Sequence, residues 1–203
     1  MTKVGEDVFA HESTSFDAAV QGWVLGHQAR WIDVIFVAVT TVGGMGPMLA
    51  LAVLAALVLW RRGHRFVAAR VLLAPAAAIL LFTIVKNVYA RPRPLGLGGS
   101  VPSSFSFPSG HATASTAVCC TLAYIWWRES LVRGPRALAL AVFAPLLIGA
   151  SRVYLNVHWT TDVLGGWSAG LFIAVLSAML YDHYRRRRKA PREAIAPAPL
   201  IRF

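Results

Sequence analysis

Five long apolar stretches, each near the length that crosses about 30 Å of hydrocarbon, restrict this chain more than any other feature of it. They run from about Pro47 to Trp60, Phe66 to Val85, Ala112 to Trp127, Ala137 to Ala150 and Thr161 to Tyr181. Backbone inside a bilayer must satisfy its own N–H and C=O groups, so the expected fold is all-α, a polytopic membrane helix bundle of about five transmembrane helices. The first stretch is short alone. Trp31 to Val42 precedes it, with Ile32, Ile35, Phe36 and Val39 at helical spacing, and Gly43-Gly44-Met45-Gly46-Pro47 breaks the two apart. The expected organisation is a polar N-terminal segment over residues 1–15, interfacial helices over 16–46, a transmembrane core over 47–184 and a basic, Pro- and Ala-rich tail over 185–203. That tail is expected to lack fixed structure from Ala190 onward. Pro75 and Pro145 fall inside spans, where a kink is tolerated if neighbouring helices satisfy the freed carbonyls.

Hydrophobic residues make up 57% of the 203, too many for an ordinary soluble domain. The 20 Lys and Arg against 9 Asp and Glu would point to nucleic acid in a soluble protein, but here the excess sits beside apolar spans and sets their orientation instead. Arg61, Arg62 and Arg65 follow the first span, Arg128, Arg133 and Arg136 the third, and Arg185 to Lys189 the fifth. Those connections and the C-terminus are therefore expected on the cytoplasmic side of a plasma or inner membrane, the last run serving as stop-transfer and anionic-lipid anchor. By alternation the N-terminal segment with Glu6, Asp7, Glu12 and Asp17 lies outside, together with the loops at 86–111 and 151–160. Residues 1–15 lack the basic start and apolar core of a cleavable signal peptide. Trp60, Trp126, Trp127, Trp159 and Trp167 read as an aromatic belt, and the adjacent Cys119 and Cys120 as packing residues.

Ionisable groups are costly in such a chain, and three clusters of them fall on the one expected outer face. Lys86, Arg93 and Arg152 supply three cations with too few acidic neighbours to neutralise them, which suits a dianionic ligand. Arg offers a planar fork to phosphate oxygens and Lys a point charge. Ser109 and Gly110 add a hydroxyl and a backbone N–H at a helix start. His111 and His158 are the groups able to act on a phosphate, and Asp162, four residues after His158, can hold one ring nitrogen protonated and leave the other free to attack. His158 is then the expected nucleophile and His111 the general acid, through a phosphohistidine intermediate. A two-metal site needs several bridging carboxylates and Asp162 is the only acidic residue of the clusters, so neither metal nor cofactor is expected.

Taken together the clusters resemble the signature of the type 2 phosphatidic acid phosphatase and vanadium haloperoxidase superfamily: Lys, six residues, Arg-Pro; then Pro-Ser-Gly-His; then Ser-Arg, five residues, His, three residues, Asp. Here these are Lys86 to Pro94, Pro108 to His111 and Ser151 to Asp162, without departure at any specified position. The resemblance covers roughly residues 16–182 and implies the same roles: Lys86, Arg93, Ser109, Gly110 and Arg152 on the phosphate, His111 as acid, His158 as nucleophile, Asp162 as its orienter. Membrane members commonly have six spans, and this chain reads as lacking the first.

The expected activity is metal-independent removal of a terminal phosphate from a membrane lipid. An isoprenoid diphosphate such as undecaprenyl diphosphate is the first choice, and phosphatidylglycerol phosphate and phosphatidic acid follow. The tail would stay in the bilayer while the headgroup enters among the clusters. The stretch Gly96 to Ser106 is expected to be either a mobile cover or a plain connector. Competing readings are a lipid phosphotransferase using the same site, a vanadate-dependent haloperoxidase, and a transporter or scaffold that binds a headgroup without reaction.

Overall fold

The computed structural model describes residues 3–94, 104–131 and 133–193, with side chains from residue 14 to residue 187. Within these residues lie seven helices and no strand: α1 (Lys3–Gly26), α2 (Arg30–Val42), α3 (Met45–Arg61), α4 (Arg65–Tyr89), α5 (Gly110–Arg128), α6 (Gly134–Tyr154) and α7 (Thr160–Glu193). Most of the expected Gly96 to Ser106 cover and most of the expected irregular tail lie outside the described residues. Helix α7 itself runs through Arg185 to Lys189 and ends at Glu193.

The five expected spans correspond to α3 through α7, but they are not equivalent. Helices α4, α6 and α7 are each long and apolar enough to cross a membrane, while α2 and α3, bent by 47° at their break, pass the same test only as a pair. That makes three spans by length and composition, or up to four with the bent pair. Helix α5 falls outside this count because its alanines and hydroxyls make it less apolar, and it lies at the centre of the bundle. It packs against α3, α4, α6 and α7, and Ala112, Thr113, Ala114, Ser115, Thr116, Ala117 and Val118 are all buried. A helix that meets protein rather than lipid can carry hydroxyls, provided they are satisfied. Thr113 Oγ1 and Thr116 Oγ1 donate back to the carbonyls of Ser109 and Ala112 at 2.9 and 2.7 Å.

Two glycines on α7 let it close on α5. A Cβ at Gly166 would lie 2.8 Å from the Ser109 carbonyl oxygen, and one at Gly170 would lie 2.6 Å from that of Thr113. Small residues four apart allow two backbones to touch, which is the usual means of helix association where water supplies no driving force. The contact brings the start of α7 beside the start of α5, where Ser109 N donates to the Asp162 carbonyl at 3.0 Å. On α6, Pro145 takes away the N–H that would have met the Ala141 carbonyl, and the Cys120 thiol of α5 donates to that oxygen at 3.4 Å instead. Outward-facing residues such as Leu54, Leu80, Phe143, Phe172 and Met179 are apolar and exposed, as a lipid-facing surface requires.

The polar residues collect at the two ends. At one end Arg128, Glu129, Tyr181, Asp182 and Arg185 join the α5–α6 turn to α7. At the other, α1 and α2 clasp the α6–α7 turn: Gln21 Nε2 donates to Asn156 Oδ1 at 2.9 Å, and Tyr154 OH to Asp33 Oδ1 at 3.0 Å.

Candidate active site

Helix α4 carries Lys86 in its last turn and stops at Tyr89, because Ala90 adopts a left-handed conformation (φ 45°, ψ 34°) and prolines follow at 92 and 94. The extended segment beyond it delivers Arg91 and Arg93. His158 lies in the α6–α7 turn, just past Asn156, which also has positive φ (53°), a conformation Asn tolerates better than most residues. Asp162 sits in the first turn of α7. The start of α5 supplies the remaining group, with Ser109 as N-cap: its hydroxyl accepts from Ala112 N at 3.5 Å.

These segments meet around His158. Arg93 Nη1 lies 2.9 Å from His158 Nε2, and the same nitrogen donates to the Val157 carbonyl at 2.8 Å. A guanidinium has only donors, so Nε2 must be the accepting nitrogen and the ring proton sits on Nδ1. Nδ1 faces Asp162 Oδ2 at 3.4 Å. Asp162 is fully buried, and its carboxylate is fixed from other directions: Trp159 N donates to Oδ2 at 2.9 Å, Ser106 Oγ donates to the same oxygen, and Arg91 Nη1 donates to Oδ1 at 2.7 Å. Burial, opposed by the hydrogen bond to the Asp162 carboxylate and reinforced by Arg93, pushes the His158 imidazole down to about 4. The ring is therefore neutral near pH 7, with its unprotonated nitrogen turned toward a cation.

The other sequence-identified residues gather on the same spot. Lys86 is buried, donates to the Phe105 carbonyl and lies within electrostatic range of Arg93, Asp162 and Arg152. His111 interacts electrostatically with Arg152, His158, Arg93 and Lys86. Arg152 Nη1 donates to Thr40 Oγ1 of α2 at 2.6 Å. Gly110 opens α5, and a Cβ there would meet the Phe82 ring only at 3.6 to 3.7 Å, an ordinary contact, so protein packing does not demand glycine. Lys86, Arg93, Ser109, Gly110, His111, Arg152, His158 and Asp162 thus converge on one end of the bundle. Three cations and two imidazoles around one buried carboxylate can hold a tetrahedral oxyanion and exchange a proton with it. Among the described residues no group of three His, Cys, Asp or Glu side chains is arranged to hold a metal ion.

Sequence reasoning missed part of the site. Arg91 falls among the unspecified residues between Lys86 and Arg93, yet it bridges Asp162 to Asp17 of α1. Asp17 reads as one of several acidic residues in an outer segment, yet it is only 2% exposed. Ser106, Thr161 and Thr40 also bond directly to members of the site. The available signal was Asp17 itself, a lone carboxylate followed by Ala18-Ala19-Val20, which no local cation explains.

Residues 67–187 match the PAP2 superfamily. The chain is 29% identical to phosphatidylglycerophosphatase B of Bacillus subtilis over 86% of its own length and 88% of that protein's. It is 33% identical to an undecaprenyl-diphosphatase of Sulfolobus acidocaldarius, over 51% of this chain and 50% of that one. The crystal structure of a transmembrane PAP2-type phosphatidylglycerolphosphate phosphatase from Bacillus subtilis superposes with a TM-score of 0.76 at 29% identity, covering 84% of this chain and 86% of that one.

Proposed function

The chain belongs to the PAP2 superfamily, and on that premise we propose that the site around His158 hydrolyses a terminal phosphate of a membrane lipid through a phosphohistidine intermediate. It is an integral-membrane lipid phosphatase; the residue roles are the substance of the proposal. One observation carries it: His158 Nε2 accepts from Arg93 at 2.9 Å while Nδ1 faces Asp162, so the lone pair needed for attack is formed and exposed to a cation. In the reaction the phosphate takes the place of the guanidinium before Nε2, and Arg93 stays on it through the equatorial oxygens. The Nε2 lone pair forms the bond to phosphorus as the bond to the lipid oxygen breaks, and His111, which takes up a proton when the phosphate anion binds beside it, gives that oxygen its proton. Water then attacks phosphorus, His111 takes its proton, the P–N bond breaks and inorganic phosphate leaves. Lys86, Arg93 and Arg152, with the Ser109 hydroxyl and the Gly110 N–H, stabilise the charge on the oxygens in both steps.

The tail remains among the lipid-facing helices, and its binding energy holds the headgroup in line. Isoprenoid diphosphates and phosphatidylglycerol phosphate are the substrate classes that the names of the relatives support. The basic turns at the opposite end favour a site open to the extracytoplasmic side. In cells, Arg30→Cys in a background without Cys119 and Cys120 is then labelled by an impermeant thiol reagent, and Arg62→Cys is not.

The deciding assay measures phosphate release in detergent from a panel of lipid phosphates with matched headgroups and different tails, with His111→Ala as the blank. Release from at least one lipid, inhibited by vanadate and insensitive to chelator, is expected. Stoichiometric transfer to a labelled acceptor without free phosphate overturns hydrolysis.

A further inference from the structure

The buried ion-pair chain behind His158 begins on a helix that the family match does not reach. Asp17 lies on α1, whereas the matched region starts at residue 67. Its carboxylate accepts from Arg91 Nη2 at 2.7 Å and from Thr161 N at 2.9 Å. Arg91 Nη1 then donates at 2.7 Å both to Thr161 Oγ1 and to Asp162 Oδ1, the oxygen of Asp162 that does not face His158. One guanidinium thus spans two carboxylates that are 1% and 0% exposed, and Trp159 covers it, with the Arg91 Cζ 5.6 Å from the ring centroid.

A chain built only to pin α1 would have no reason to end on the carboxylate of the catalytic pair. Two carboxylates facing one cation form a fixed gradient of charge. The guanidinium draws the negative charge of Asp162 toward Oδ1, and Asp17 keeps the guanidinium from moving out to a phosphate. We propose that Asp17 and Arg91 are positioning residues for the reaction, Asp17 anchoring Arg91 so that Arg91 holds Asp162 in the orientation that keeps His158 Nδ1 protonated and Nε2 available. The N-terminal helix is on this view part of the active site rather than an accessory to it. The inference rests on His158 acting as the nucleophile.

The charge state of His158 offers a readout that a merely structural role would not move. The groups that act on it are Asp162 from α7, Arg93 from the segment after α4 and Arg152 from α6, with His111 of α5 also interacting with it; Arg91 acts through Asp162. Without Arg91, Asp162 puts more of its charge on Oδ2 and stabilises the imidazolium, so His158 protonates at higher pH.

The test uses the full chain in detergent, comparing Arg91→Gln, Arg91→Lys and Asp17→Asn with the unaltered protein in kcat, KM and the pH profile of kcat/KM. Arg91→Gln is expected to lower kcat by about 10- to 100-fold, the range typical of groups that orient a reacting ligand from behind, with KM nearly unchanged. Its acid limb is expected to move upward, toward the ordinary imidazole value near 6.5. Arg91→Lys keeps the cation and is expected to return the limb to its original position, while recovering only part of kcat, because an ammonium cannot bridge two carboxylates. Asp17→Asn is expected to lower kcat less than Arg91→Gln does, and combining the two should cost little more than Arg91→Gln alone. The proposal is overturned if the Arg91→Gln limb stays in place and its loss of rate matches a loss of folded protein measured by thermal unfolding. It is equally overturned if the two substitutions add independently. Failure of the underlying reading looks different: the unaltered protein releases no phosphate, or His158→Ala releases as much.

Discussion

An arginine meets an aspartate at each end of the bundle, Arg91 with Asp162 at 2.7 Å and Arg128 with Asp182 at 3.0 Å. The residue types and distances are nearly the same; the surroundings are not. Asp162 is 0% exposed and takes further bonds from Ser106 and Trp159, whereas Asp182 is 32% exposed and its pair can exchange partners with water. Breaking a buried pair strands a charge and costs about 3 to 5 kcal/mol, whereas an exposed pair contributes about 0 to 1 kcal/mol. The end that carries the candidate site therefore holds its groups in one geometry against a large penalty for leaving it, and the opposite end only ties helices together.

Removal of His158 probes this contrast most severely. His158→Ala is expected to abolish phosphate release while lipid binding persists, and measurable turnover would place the nucleophile elsewhere. Arg93→Ala or Arg152→Ala should each lower kcat about 10²- to 10³-fold, the usual loss for one donor to a developing oxyanion. Steady-state rates with saturating lipid check this.

The pH profile sharpens the comparison further. His158 must be neutral to attack, and its environment holds it at about 4, so kcat/KM should fall on the acid side only as pH drops through that region. The unfolded chain takes up this proton near 6.5, and the folded one only near 4, so folding stability should also decline as pH falls across that interval. An acid limb near 6.5 would show that the ring is not held as the structure places it. Asp182→Asn is the mildest test: thermal unfolding should shift by the equivalent of no more than about 1 kcal/mol, with kcat unchanged. A loss of rate there would mean that the two ends are coupled.

The apolar helices, the bend at Gly43-Gly44 and the convergence of the eight candidate residues were legible because each leaves a local mark: an apolar run, paired glycines, or a charge where charge is costly. Residues whose meaning is tertiary were not. Nothing near Asp17 in sequence points to Arg91 or Thr161, 74 and 144 positions away. Ser109 reads as a phosphate donor and in the structure also caps α5, because the residue that opens a helix is also the one closest to the ligand end. The special place of α5 was hidden too, since its alanines and hydroxyls look like a weaker span until the surrounding helices explain them.

That placement of α5 bears on how the protein is made. A segment rich in threonine, serine and alanine partitions into lipid less readily than its neighbours, and here most of its packing comes from α6 and α7, which leave the ribosome later. The packing of the helix bearing His111 is therefore complete only once those partners are present, although it lies mid-chain. A chain that stops short of Gly170 is accordingly expected to leave the site unformed.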